Sequence, residues 1–343
     1  MGEGDPIRIG VAGLGRAGWD IHIRAIRGRK DYVLTDVVDV DEKRLKEAAD
    51  EFKCATHTNW KEFLRNHSCE LVVVATQSKD HAPMSIQAMK AGLNVLVEKP
   101  MAISLSQADR MIAVARETGR VLTVHQNQRL QSDTLYVKKL LESGIIGRVF
   151  EIKRSVYSFS RRHGWQCLRK YGGGIYNNTG VHSMDQLIYL INSPAVSVWG
   201  DLQQINNPGD VEDHVKVVFR CENGLVVDYD CTSVCAAPLL SWVIMGENGT
   251  AWIQGNKATV KYFDRSKLPK LEVEDLHQVP TRQYYREQIP WQEKTEDLPP
   301  SLNFYDYLYD SLRNGKPLLV TPESCREVYR VMTLARKGTK FKG

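Results

Sequence analysis

Residues 7–18 read Ile-Arg-Ile-Gly-Val-Ala-Gly-Leu-Gly-Arg-Ala-Gly, and the fold turns on them. The apolar run Ile7–Ala12 reads as a short buried strand. It leads without a spacer into Gly13-Leu-Gly15-Arg16-Ala17-Gly18, and a helical stretch, Trp19–Arg29, follows at once. In a strand–turn–helix unit each glycine has its own task. The first permits the tight turn, the second lets a pyrophosphate approach the backbone, and the third lets the helix pack closely on the strand. Backbone N–H groups around Arg16 and Ala17 then face the phosphates, with the positive end of the helix dipole behind them. Asp39 closes the next strand about twenty residues on, where a carboxylate holds the ribose hydroxyls of a dinucleotide. That carboxylate repels a 2′-phosphate and is followed by Val40 rather than Arg. The expected cofactor is therefore NAD rather than NADP, although Lys43 and Arg44 lie close in sequence.

Outward from this turn the pattern repeats. Val33–Val38, Leu71–Ala75, Asn94–Val97 and Val121–Val124 are short apolar runs rich in β-branched residues, as parallel strands covered on both faces require. Between them lie helix-like stretches, Glu42–Phe52, His81–Ala91 and Ser106–Thr118. The last has Ser104 and Gln107 as its start signal and Gly119 as its stop. The alternation predicts a doubly wound α/β domain with a parallel sheet over residues 1–127.

From Arg148 the texture changes. Val149–Tyr157, Val211–Arg220, Leu225–Thr232, Trp242–Met245, Thr250–Ile253 and Thr259–Phe263 alternate as strands do. One long helix, Thr179–Ile191, interrupts them, and helices over Leu302–Arg313 and Pro322–Lys337 close the chain. Residues 128–343 are expected to form an α+β domain with a largely antiparallel open sheet. The polar stretch Leu268–Pro299 reads as a long excursion with few strand signals.

At 343 residues the chain exceeds what one hydrophobic core usually supports, in keeping with two domains. A net charge of +5, without long runs of one sign, excludes a nucleic-acid or membrane-surface signature. The seven cysteines are scattered, and Cys231 and Cys235 have no histidines spaced to complete a zinc pattern. They read as reduced, buried thiols of a cytoplasmic protein that holds no metal. Met1–Pro6 runs directly into the first strand without an apolar leader, and Leu71–Ala75 is far short of a membrane span.

A second motif, Glu98-Lys99-Pro100, follows Asn94–Val97 at the strand's carboxyl end, the edge of an open α/β sheet where ligands bind. Gly172-Gly173-Gly174, then Gly180-x-His182-x-x-Asp185, then Arg313-Asn-Gly-Lys-Pro-Leu-Leu-Val320 follow in order. With the glycine turn, these motifs resemble the glucose–fructose oxidoreductase/inositol dehydrogenase (Gfo/Idh/MocA) family over nearly the whole chain. The resemblance implies a Rossmann domain and a second domain whose open sheet forms a homodimer or homotetramer interface. It implies a small sugar-like substrate, Lys99 touching nicotinamide and substrate, and His182 beside the reacting carbon. It brings Thr76, His81 and Glu98 to the cofactor, and Asn127 and Arg129 to the substrate cleft. Trp165, behind Arg161-Arg162-His163, is a further expected substrate contact.

The chain departs from that family at one place. Where the family's dehydrogenases carry Asp four residues before the histidine, this sequence has Asn178. On a helix Asn178, His182 and Asp185 share one stripe. An amide can orient a hydroxyl but cannot take its proton, so His182 is the expected base and Lys99 the cation that steadies an alkoxide. Asp185 is expected either to orient His182 and the substrate or to stiffen the helix. The leading expectation is NAD-linked oxidation of a secondary alcohol on a sugar, inositol or sugar derivative, or reduction of the matching ketone. A glycoside-cleaving enzyme that recycles its NAD, and a non-enzymatic NAD-responsive regulator, fit the same motifs; the retained Lys99 and His182 argue against the regulator.

Overall fold

A computed structural model of the chain describes residues 4–271 and 287–341. The strands β1 (Ile7–Ala12), β2 (Tyr32–Val38), β3 (Ala55–His57), β4 (Leu71–Val74), β5 (Asn94–Val97) and β6 (Leu122–Val124) form one sheet. Its order is β3-β2-β1-β4-β5-β6 and every pairing is parallel. Leu71, Val72, Val73 and Val74 are all 0% exposed, which is why β4 shows no alternation in sequence. Each such side chain contributes about 1.5–3 kcal/mol of burial. The chain reverses its direction of travel across the sheet between β1 and β4, so a crevice opens at their carboxyl ends.

The second sheet contains β7 (Val149–Tyr157), β8 (Ala195–Gln203), β9 (His214–Cys221), β10 (Val226–Thr232), β11 (Trp242–Gly246), β12 (Gly249–Gln254), β13 (Lys257–Tyr262) and β14 (Gln292–Asp297). Its order is β14-β13-β12-β11-β7-β10-β9-β8, antiparallel except where β7 meets β10. The helix Val181–Ile191, preceded by a π-wound turn over Tyr176–Gly180, contributes Val181, Met184, Leu187 and Ile188 to the core on one face of this sheet. The largely antiparallel expectation holds.

Three strands escape the sequence patterns, each for a physical reason. β3 is too short to carry a period. In β8 the pairing slips between Ala195 and Ser197, so the buried positions Ala195 and Leu202 fall out of simple alternation. β14, Gln-Glu-Lys-Thr-Glu-Asp, buries almost nothing; cross-strand bonds Thr259–Thr295 and Lys257–Asp297 hold it as an edge. It occupies the far end of the stretch expected to be an excursion, whose residues 272–286 lie outside those described.

The cores do not divide cleanly at residue 127. Phe304, Tyr305 and Leu308, on the helix Phe304–Arg313, pack into the core of the parallel sheet. The last helix, Pro322–Ala335, straddles both cores, giving Cys325 and Tyr329 to the first and Val328, Val331 and Met332 to the second. Among the described residues no helix is long and apolar enough to cross a membrane.

Candidate active site

The glycine turn has the shape its sequence predicts. Gly13 sits at φ +90°, and a Cβ there would stand 2.7 Å from the Ala75 carbonyl oxygen. A Cβ on Gly18 would lie 1.8 Å from the Gly13 carbonyl oxygen, so Gly18 serves helix–strand packing and does not line the cleft. At Gly15 an added Cβ would meet nothing within 4 Å: that side of the turn is open. The following helix winds as a π-helix over Ala17–Ile23. Leu14 N donates to Asp39 Oδ2 at 2.6 Å and Asp41 N to Oδ1 at 2.9 Å, which fixes the carboxylate at the crevice. Arg44 Nη1 approaches Asp39 Oδ2 at 3.8 Å.

These groups line one cleft of about 720 Å³, ample for a small-molecule ligand. Gly13, Gly15, Arg16, Ala17 and Asp39 form one end. Thr76, His81, Glu98 and Lys99 line its floor, and Trp165, Gln166 and Asn178, all beyond the parallel sheet in sequence, complete its wall. An open turn, a carboxylate held at the crevice and a cation further along suit an extended dinucleotide.

Lys99 follows β5, and its peptide bond to Pro100 is cis. Its Nζ donates to the Asn178 carbonyl oxygen at 2.7 Å. Burial holds the ammonium below the ordinary lysine range; Glu98 opposes that shift and Arg16 and Arg162 add to it. Glu98 reaches the cleft, but its carboxylate is engaged by protein donors, one of them Lys99 N–H at 3.0 Å. His81 braces this turn from beneath. Nδ1 lies 2.7 Å from the Pro100 oxygen and Nε2 3.1 Å from the Thr76 oxygen. Burial lowers the ring's pKa, and the two carbonyl contacts oppose that shift.

His182 is partly buried, one helical turn beyond the cleft-lining Asn178, and is not itself among the residues that line the cleft. Its Nδ1 donates to Gln126 Oε1 at 3.0 Å, which leaves the Nε2 lone pair as the acceptor. Burial and the charge of Lys99 hold its pKa well below the ordinary histidine value.

Three expected substrate residues lie elsewhere. Arg129 is 3% exposed and paired bidentately with Asp185, Nε–Oδ2 at 2.8 Å and Nη2–Oδ1 at 2.7 Å. It also donates to the Leu319 oxygen and Ser324 Oγ, and its guanidinium lies over Tyr189. The pair ties the helix Val181–Ile191 to the segment before the last helix, and neither partner lines the cleft. Asp185 is not the orienter of His182; Gln126 is. Asn127 opens a short 3-10 turn and does not line the cleft. Trp165 does line it. Tyr176, fully buried under the Arg336 guanidinium, is a packing residue.

Sequence reasoning passed over Gln126, His22, His125 and Trp60. Gln126 and His125 directly follow β6, so the sheet-edge rule that singled out Lys99 had the signal to find them. Trp60, a cleft residue, sits beyond the short strand β3 that no pattern revealed.

Residues 7–126 match the model of the oxidoreductase family with an NAD-binding Rossmann fold, and residues 134–252 match that of the GFO/IDH/MocA C-terminal domain. The chain is 31% identical to the Escherichia coli oxidoreductase YdgJ over 72% of this chain and 70% of the relative. It is 24% identical to the scyllo-inositol 2-dehydrogenase (NADP(+)) IolW of Bacillus subtilis, over 98% and 95% of the two chains. In fold it resembles the WlbA dehydrogenase of Bordetella pertussis, solved with NADH and UDP-GlcNAcA, with a TM-score of 0.78, 22% identity and 97% of each chain covered.

Proposed function

The chain belongs to the GFO/IDH/MocA family of NAD(P)-binding oxidoreductases, and we propose that it is an NAD-dependent dehydrogenase for a secondary alcohol of a sugar, inositol or sugar derivative, working also on the matching ketone. The observation that carries this reading is the Lys99 ammonium. It lies on the cleft floor, anchored among the described residues by a single side-chain bond to a neutral carbonyl, with hydrogens left for a substrate oxygen. Bound NAD supplies the hydride acceptor. Residues of the glycine turn hold its pyrophosphate and Asp39 its ribose hydroxyls. Lys99 steadies negative charge on the reacting oxygen, and neutral His182 takes the hydroxyl proton at Nε2. Asn178, which lines both the cleft and a small adjoining cavity, orients the substrate at their junction. Arg161, Arg162, Asn206 and Asn207 of that cavity offer donors for further hydroxyls.

NAD is preferred because Asp39 already occupies the position a 2′-phosphate would approach, and Arg44 beside it is partly neutralised by that carboxylate. A polyol and sugar panel read at the nicotinamide absorbance tests the reading. NADH should accumulate with at least one alcohol; release of a leaving group without net NADH would favour the glycoside-cleaving alternative instead.

The outer face of the second sheet supports a homodimer or homotetramer. Trp199, Val218, Asp228, Lys153, Val243 and Trp252 form one register row across it, and Trp199 is 59% exposed. Trp199→Glu combined with Trp252→Glu should lower the oligomeric state in sedimentation, and an unchanged state would remove this face as the interface.

A further inference from the structure

Under the cleft floor lies a cluster that the proposed chemistry does not use. Glu98 Oε1 accepts from His22 Nε2 at 3.0 Å and from His125 Nδ1 at 2.9 Å. Glu98 Oε2 accepts the Lys99 backbone N–H, and His22 Nδ1 lies 2.8 Å from the Tyr305 hydroxyl. All three clustered side chains are buried. An ionised carboxylate can only accept, so His22 carries its proton on Nε2 and His125 on Nδ1; the remaining lone pair of His22 takes the Tyr305 proton. With those protons in place, each contact of the cluster pairs a donor with an acceptor.

We infer that His22 and His125 are positioning residues that hold Glu98 as a fixed anion beneath Lys99, and that this anion keeps the Lys99 ammonium charged and in place. The inference rests on Lys99 being the cation of the proposed reaction. The three donors come from the helix behind the glycine turn, the end of β6 and the Glu98–Lys99 turn itself, so one carboxylate clasps three separate pieces of the sheet edge. Burial alone would push the Glu98 carboxyl up, toward its neutral form; hydrogen bonds from His125 and His22 more than offset this and hold it well below the usual range. Burial lowers the His22 pKa, and its bond to Glu98 opposes that shift. His81, His182 and Tyr305 also feel the Glu98 charge, while Arg16 from the cleft and Arg162 from the adjoining cavity repel Lys99. Without the two imidazoles the buried carboxylate would protonate, and Lys99 would lose the counter-charge of Glu98 while Arg16 and Arg162 still repelled it.

His22, Glu98 and His125 are also metal-binding types, with ligand atoms within 4.8 Å of one another. Tetrahedral ligands on bonds of about 2.0–2.1 Å stand roughly 3.3–3.4 Å apart. The two contacts to Glu98 Oε1 are shorter, at hydrogen-bond length, and a metal would displace the protons that make them.

The test is an NMR titration of the cofactor-free protein carrying lysine labelled with ¹³C at Cε. The Lys99 signal is assigned by its loss in Lys99→Arg. Glu98→Gln should lower the Lys99 midpoint by about one pH unit or more, the loss of a nearby counter-charge. His22→Leu combined with His125→Phe should do the same. His22→Gln combined with His125→Asn, which keeps an N–H at both positions, should stay within about half a unit of the parent. If the apolar pair fails to fold, Glu98→Gln and the donor-keeping pair still decide. A midpoint indifferent to Glu98→Gln, or lowered equally by the donor-keeping pair, overturns the inference, as does stoichiometric zinc in the purified protein. The titration needs no substrate. It therefore stands or falls separately from the sugar panel, which tests Lys99 as a catalytic group.

Discussion

Lys99 and Arg129 look alike in the sequence: each is a cation just past the carboxyl end of a strand in the same sheet. The fold gives them opposite surroundings. Among the described residues Lys99 makes one side-chain bond, to a backbone carbonyl, and it faces the cleft. Arg129 spends its donors on Asp185, Leu319 and Ser324 and faces the protein interior. A cation is available for chemistry only when the protein leaves its hydrogens and its charge uncommitted. Position at a sheet edge brings a residue to the right place, and its partners decide whether it can act.

The largest expected effect tests the committed side of that contrast. Arg129→Ala leaves Asp185 buried without its partner and should cost about 3–5 kcal/mol of stability in urea unfolding. Replacing both residues with leucine should recover much of it. A stable Arg129→Ala protein with weakened substrate binding would break the comparison. On the other side, Lys99→Ala should lower turnover roughly 10²-fold or more, about 2.7 kcal/mol, with NAD affinity and unfolding midpoint near those of the parent. His182→Ala should behave likewise; near-normal turnover in either variant would remove that residue from the mechanism.

Smaller shifts sharpen the picture. Asp39→Ala should narrow the preference for NAD over NADP by roughly tenfold in calorimetry, about 1.4 kcal/mol. Tighter NADP binding by the parent protein would instead assign the decisive role to Arg44. The smallest effect is a pH shift. His182 must be neutral to accept a proton, and burial and Lys99 lower its pKa, so alcohol oxidation should reach its plateau below the ordinary histidine midpoint. Asn178→Asp adds a carboxylate, stabilises imidazolium and should move that limb upward by about half a unit to one unit. A pH–rate profile coinciding with the parent's would show that position 178 does not sense the proton transfer.

The legible parts of the site lie on a single continuous segment. Gly13, Gly15, Gly18 and Asp39 belong to one strand–turn–helix–strand unit, where spacing alone fixes geometry. The stripe Asn178–His182–Asp185 looked equally regular and misled. A π-wound turn precedes the helix, and Asp185 points instead to an arginine from another element. Helical spacing says which residues share a face and nothing about what that face meets.

By itself the sequence determined the alternation of apolar runs and helices, the glycine turn, the carboxylate after the second strand and the lysine at the sheet edge. All of these depend on contacts within a few dozen residues, whose patterns survive in one dimension. Only the tertiary structure decided the partners. Glu98 meets His22 and His125, and His22 meets Tyr305 from the far end of the chain. His182 meets Gln126, and Arg129 is spent on Asp185. A buried polar group must find a partner wherever the fold brings one near, and that pairing follows proximity in space rather than spacing along the chain.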